Sequence, residues 1–132
     1  MVPEAATRVA ELRAQDRAID HLGIEVVSVA AGSVELAFTA EPTMTNGHGL
    51  VHGGYLFLLA DTALAYCCAS LDRASVTRTA DIAFLAPVAG GARVTAVAVV
   101  RASHGRTTIC DVRLDSDGTL IAEFRGHGVT TR

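Results

Sequence analysis

Between Pro42 and Leu71 the chain carries a single Asp, Glu, Lys or Arg, Asp61, inside the run Leu56-Phe57-Leu58-Leu59-Ala60-Asp61-Thr62-Ala63-Leu64. A lone carboxylate in such surroundings costs several kcal/mol to desolvate unless it is hydrogen-bonded, paired or lines a cavity. Two uses are open to it: a structural one, capping a loop or pairing with Arg78 or Arg101, and a chemical one, as nucleophile or base. Eight positions upstream stands Gly53, followed by Gly54. At the start of a helix, unpaired backbone N–H groups and the positive dipole end point outward, and a residue without a side chain lets a ligand oxygen approach the amide closely. Those are the ingredients of an oxyanion hole. Eight helical residues span about 12 Å, whereas each catalytic contact must be about 3 Å, so one carbonyl group cannot touch both residues of one chain. Two such helices packed antiparallel about a two-fold axis would bring Asp61 of one copy to Gly53 of the other. The spacing therefore predicts a site shared between subunits and occurring twice per dimer.

The elements that must position these residues follow from pattern. Residues 54–70 are long and rich in Leu and Ala, and apolar on nearly every side, which predicts a helix enclosed by other parts of the protein. Residues 40–53, with Pro42, Asn46 and glycines 47, 49 and 53, form a loop that delivers the chain to that helix. Residues 4–21 read as an amphipathic helix through Val9, Leu12, Ile19 and Leu22. A hairpin over 23–40 turns at Ala31-Gly32, and strands over 75–86, 92–103, 106–115 and 119–129 are separated by turn signals at Pro87, Gly90-Gly91, His104-Gly105 and Ser116-Asp117-Gly118. About six strands with one long helix and no alternating strand–helix rhythm indicate an α+β fold, a curved antiparallel sheet wrapped around a central helix. One sheet covers only part of a helix that is apolar all round, so a second subunit is the expected cover for the rest.

Composition bounds the remaining classes. The length of 132 residues suits one domain over 1–132, and 50% hydrophobic with 19% charged residues is the make-up of a packed globular chain. A net charge of -3 without a Lys/Arg cluster excludes nucleic acid and anionic membrane as partners. Cys67, Cys68 and Cys110 are odd in number and lack CxxC spacing, so they read as reduced core thiols of a cytoplasmic protein. The first twenty residues are too polar for a signal peptide, and no uninterrupted apolar run reaches the roughly 18 to 20 residues of a membrane span. His48 and His52 stand four apart but with glycines near them and no accompanying acid. Asp115-Ser116-Asp117-Gly118 resembles the start of a calcium loop but has Gly126 where its Glu ligand would be needed. No metal and no cofactor are expected.

The run Asn46-x-His48, His52-Gly53-Gly54 and Leu59-Ala60-Asp61-Thr62-Ala63 resembles the hotdog-fold acyl-CoA thioesterases of the phenylacetic-acid-pathway (PaaI) type. The likeness continues through Ile82-x-Phe84-Leu85-x-Pro87, Ala89-Gly90, Gly105-Arg106-Thr107 and Ala122-x-Phe124-x-Gly126, nearly the whole chain. The resemblance implies hydrolysis of an acyl-CoA, aromatic (phenylacetyl- or hydroxyphenylacetyl-CoA, in phenylacetate degradation) or medium-chain, by a homodimer or a dimer of dimers, a homotetramer. It makes Asp61 the catalytic carboxylate, as nucleophile or general base, and the Gly53 amide the group that polarises the carbonyl. Asn46 would place the thioester or the attacking water, and His52 would border the reacting group. Thr62 and Thr77 would orient the water, and Arg101 and Arg106 would meet the phosphates of CoA. Asn46 and His48 also have a turn reading, since Asn tolerates left-handed geometry next to Gly, and His52 a capping one. Two rivals remain: a hotdog-fold enoyl-CoA hydratase or dehydratase, which needs a His beside the acid, and a non-catalytic acyl-CoA sensor, which has no use for a buried carboxylate.

Overall fold

The computed structural model describes residues 4–131. Six strands form one antiparallel sheet: β1 (Glu25–Ala30), β2 (Ser33–Thr39), β3 (Ser75–Phe84), β4 (Arg93–His104), β5 (Thr107–Ser116) and β6 (Thr119–Thr130). Their spatial order is β1-β2-β4-β5-β6-β3. The long helix α2 (Gly53–Ser70) carries the chain from β2 to the far edge, where β3 pairs only with β6. The consecutive strands β4, β5 and β6 then fill the space between, joined by tight turns; Asp117 and Gly118 both adopt positive φ at the last of these. This is the hotdog architecture implied by the resemblance.

The sheet curls around α2, which packs against β2, β3, β4, β5 and β6. By length and composition α2 could cross a membrane; most of it lies buried inside the chain. Its seat on β6 depends on two glycines. A Cβ on Gly126 would stand 2.7 Å from Leu64 Cδ2, and one on Gly128 3.1 Å from Cys68 Sγ. A side chain at either place would have to displace these side chains where helix and strand meet. Cys67, Cys68 and Cys110 are free and buried in this helix–sheet layer.

The amphipathic segment near the N-terminus differs from expectation. Instead of one helix over residues 4–21, α1 (Ala5–Gln15) ends at Asp16, whose φ of -88° and ψ of 86° are not helical, and a 3₁₀ turn (Arg17–Leu22) follows. The break is fixed from the core: the Tyr66 hydroxyl donates to Asp16 Oδ2 at 2.8 Å. Burial pushes the Tyr66 hydroxyl above the ordinary phenol range, and the bond to Asp16 pushes it further. The other end of α1 clasps α2, since Arg8 donates to the carbonyls of Ala69 (3.1 Å) and Ser70 (2.5 Å), groups that a helix C-terminus leaves without partners. Val9, Ile19 and Leu22 are buried as the pattern required, but Leu12 is exposed.

Candidate active site

The loop before α2 is built to present the helix start. Asn46 Oδ1 accepts the backbone N–H groups of His48 (2.9 Å) and Leu50 (3.2 Å), and the Asn46 N–H donates to the Leu50 carbonyl at 2.7 Å. This is turn chemistry, as one of the two readings of Asn46 had it, and it leaves the carboxamide NH₂ as a donor for other partners. His48 is exposed. The His52 N–H donates to the Met44 carbonyl (2.8 Å), and the Val51 N–H to the Val88 carbonyl (2.8 Å), which pins the loop end to the body of the protein.

His52 is the N-cap of α2. Its Nδ1 accepts the Gly54 N–H at 3.0 Å, an uncommon use of imidazole in a position where Ser, Thr, Asp or Asn usually serve. That bond requires an unprotonated Nδ1, so a neutral ring carries its proton on Nε2. With Gly54 satisfied by His52, and Tyr55 donating to the His52 carbonyl at 3.0 Å, the Gly53 amide meets no acceptor among the described residues. It is a free donor at the positive end of an 18-residue helix. Gly53 and Asn46 line one cavity of about 410 Å³, walled by Leu50, Leu56, Phe84 and Pro87.

Asp61 sits two turns further along α2, half-buried, and its partner comes from the sheet: Thr77 on β3 donates to Asp61 Oδ1 at 2.6 Å. This is a short hydroxyl–carboxylate bond of the charge-assisted kind. It fixes one carboxylate oxygen and leaves the other for chemistry. Among the described residues no arginine takes the structural role that Arg78 or Arg101 could have had; the carboxylate is held by a hydroxyl on the exposed edge strand. The adjacent threonine is placed differently. Thr62 is buried and its hydroxyl donates back to the Leu58 carbonyl at 2.7 Å, so the structure does not bring it to Asp61.

Of the two cations considered for phosphate contact, Arg106 lies in the β4–β5 turn, with Nε donating to the Thr130 carbonyl at 3.1 Å and the remaining guanidinium exposed. Thr108, two residues on, is in register with Gly128, and Gly128 with Thr77. Two strand spacings, about 10 Å, therefore separate the Arg106 hairpin from the Asp61 partner, on the same end of the sheet. Arg101 belongs elsewhere. It projects from the outer face near Asp111, whose carboxyl is held below the usual carboxylate range first by Arg125, at 2.6 and 2.9 Å, and more weakly by Arg101. Among the described residues no group of three His, Cys, Asp or Glu side chains is placed to hold a metal ion.

One neighbour of the site carried no role in the sequence reading. Phe84 closes β3, is 53% exposed, and lays its ring on Gly53: a Cβ there would meet Phe84 Cζ at 2.9 Å. The only signal was a large aromatic in the Ile82-x-Phe84-Leu85 segment at an edge-strand end, which looks the same whether it faces core, substrate or subunit.

Chemically, then, the chain offers a carboxylate with one oxygen tethered and, about 12 Å along the same helix, an unpartnered amide beside a mostly apolar cavity. The thioesterase superfamily model matches residues 48–122, which take in the end of the loop, all of α2, strands β3, β4 and β5 and the start of β6. The acyl-coenzyme A thioesterase PaaI of Escherichia coli K12 is 40% identical over 106 residues, 80% of this chain and 76% of that protein. The solved structure of the E. coli PaaI protein from the phenylacetic acid degradation operon superposes with a TM-score of 0.94 at 34% identity, covering 97% of this chain and 94% of that one. A variant of the phenylacetic acid degradation protein PaaI from Thermus thermophilus superposes with a TM-score of 0.84 at 31% identity, over 88% of this chain and 100% of that one. On this evidence the chain belongs to the thioesterase superfamily.

Proposed function

We propose that the protein hydrolyses acyl-CoA thioesters, aromatic or medium-chain, to the free acid and CoA, at two sites each shared between subunits. The observation that carries the reading is the pairing of Asp61 with Thr77 at 2.6 Å on a helix whose first amide, at Gly53, has no acceptor among the described residues. In this scheme the thioester carbonyl oxygen accepts the Gly53 N–H of the partner subunit, so that charge developing on it meets a donor already in place. The free oxygen of Asp61 either attacks the carbonyl carbon or takes a proton from the water that does. In both cases water supplies OH to the acyl group and a proton to the departing thiolate. A thioester carbonyl is electrophilic and its thiolate leaves readily, so one carboxylate and one strong donor suffice.

Support for a second subunit comes from β3. It is an edge strand, paired on one side only, and exposes Val76 (59%), with Leu85 (56%) exposed just beyond its end. Such an edge invites pairing with its twin about a two-fold axis, which would set the two α2 helices antiparallel. The pantetheine arm would leave toward the Arg106 hairpin, without a part for Arg101. Asn46, with its NH₂ free, would orient the acyl carbonyl or the water, and His52 would border it through Nε2. We place the enzyme in the cytoplasm, as a dimer or a dimer of dimers.

The test is release of CoA from a panel of acyl-CoAs, followed with a thiol-reactive dye. Release by the wild type but not by Asp61→Asn supports the assignment. Binding without release would make the protein a sensor, and loss of enoyl absorbance without release a hydratase. Sharing of the site has its own test in mixed dimers of Asp61→Asn with Gly53→Ala subunits, each retaining about a hundredth of wild-type activity or less alone. Random mixing leaves one intact site in about half the dimers and restores about a quarter of wild-type activity. No recovery in mixed dimers would place both groups in one chain's site and exclude the shared arrangement.

A further inference from the structure

We infer that Phe84 is the residue that sets which acyl groups the enzyme accepts, by forming the wall of an acyl pocket beside the Gly53 amide. The inference rests on the thioesterase reading above and names the part of the site that reads the substrate.

Three observations lead to it. First, the ring lies directly on Gly53, where a Cβ would be 2.9 Å from Cζ and 3.3 Å from both Cε atoms. Gly53 is thus bare for two reasons: an oxygen must reach its amide, and an aromatic ring must lie against its Cα. Whatever group binds that amide must extend past the ring edge. Second, the ring is not consumed by packing, since 53% of Phe84 is exposed although it is a large apolar side chain. It is held in place from behind, because the next residue, Leu85, donates its N–H to the Ile121 carbonyl at 2.8 Å and Phe84 itself pairs with Ala122 across the β3–β6 ladder. A rigid ring on a fixed backbone discriminates by shape better than a loop side chain.

Third, the cavity that Phe84 walls has the chemistry of an acyl group. Of about 410 Å³, its lining is Leu50, Val51, Leu56, Pro87 and Val88 with a single polar side chain, Asn46, and the Gly53 amide at the mouth. Another hollow along α2, about 300 Å³ under α1, mixes Leu12, Ala65 and Ala69 with four charged side chains, Arg8, Glu11, Asp72 and Arg73. Burying an acyl chain there would bring charged groups out of water, whereas the Phe84 cavity holds none. The pantetheine arm, with two amides, has the opposite requirement and finds one polar side chain in the Phe84 cavity. The thioester therefore lies with its carbonyl on Gly53, its acyl group against Phe84 and its sulfur toward solvent.

Phe84→Ala enlarges the pocket and Phe84→Trp fills it, so the two should move selectivity in opposite directions. The quantity to measure is the ratio of kcat/KM for a bulky acyl-CoA, phenylacetyl- or octanoyl-CoA, to that for acetyl-CoA. This ratio is independent of the fraction of enzyme that is folded and active. We expect Phe84→Ala to raise it about tenfold and Phe84→Trp to lower it by a similar factor, the scale that one or two methylene groups command in an apolar pocket. A ratio unchanged within about twofold in both large variants, or a uniform fall in kcat/KM for every substrate, would give Phe84 only a structural or a pantetheine-binding role and overturn the inference. If the wild type releases no CoA from any acyl-CoA, the thioesterase reading itself fails and the acyl pocket with it. If it does release CoA and only the ratio is inert, the activity stands and the wall does not.

Discussion

The two stations of α2 solve opposite problems. At its start the helix is stripped: two glycines, an N-cap whose imidazole satisfies the second amide and not the first, and an Asn-closed loop that keeps other acceptors away. The result is an electron-poor backbone group with no acceptor among the described residues. Two turns later the helix is crowded: a carboxylate among apolar neighbours, clamped by a threonine from the sheet. One station works because a side chain is missing, the other because one has been brought from 16 residues away. Reactivity at the first comes from secondary structure alone, whereas at the second it needs the tertiary contact between helix and edge strand. Substitutions should therefore act through different channels at the two places.

The largest effect is expected at the crowded station. Asp61→Asn keeps size and hydrogen-bonding capacity but removes the negative charge, and kcat/KM should fall by about a thousandfold or more, with circular dichroism and elution volume unchanged. At the bare station Gly53→Ala should cost about a hundredfold, the scale of one oxyanion donor, because the new methyl group collides with Phe84 at 2.9 Å. Adding Phe84→Leu should recover part of that loss; a double variant as poor as the single one would mean that the ring is not the obstacle. Thr77→Val removes the clamp and should lower kcat about tenfold, with KM nearly unaffected, as expected for loss of one charge-assisted hydrogen bond. Thr62→Val sharpens the contrast: its hydroxyl serves only the Leu58 carbonyl, so activity should stay within about twofold and stability fall by about 1 kcal/mol or less in a urea titration.

The smallest effect lies outside the site. Arg125 holds the Asp111 carboxyl below its unfolded value, so the pair adds stability above about pH 4, and that contribution is lost as pH falls through the lower folded pKa. The gap between wild type and Arg125→Gln in unfolding midpoint should accordingly close on acidification. Both side chains are about half exposed, which keeps the gap small.

What could be seen in the sequence was whatever depends on local pattern. The helix over Gly53–Ser70, the turns and the four later strands lie within a residue or two of their expected places, because an all-apolar helix and alternating strands are written in consecutive residues. Asp61 stood out because charge is rare in such a run. What pattern could not supply was which distant residue meets which. The segment over 4–21 has a continuous amphipathic rhythm, and only the Tyr66 hydroxyl, 50 positions away, interrupts it at Asp16. Thr62 and Thr77 carry the same hydroxyl, and the sequence favoured Thr62, the neighbour of Asp61; helix phase turned it inward and strand register brought Thr77 to the carboxylate. Arg101 and Arg106 are close in sequence, but one lies at a bulge within β4 beside Asp111 and the other in the turn beyond the strand, a difference that only register shows. Phe84 needed the fold before its contact with Gly53 existed at all.

The pair Gly126 and Gly128 on β6 has a consequence for how this enzyme tolerates change. These residues set the height at which α2 rides over the sheet, and Gly128 is the ladder neighbour of Thr77. A methyl group at Gly128 would have to displace the Cys68 thiol on α2 and Ser75 on β3, the two elements that Asp61 and Thr77 tie together, and so should strain the tether between strand and acid. Survey every single substitution for turnover, and a second ring of sensitive positions should emerge beneath the helix, among residues whose sole duty is to be small.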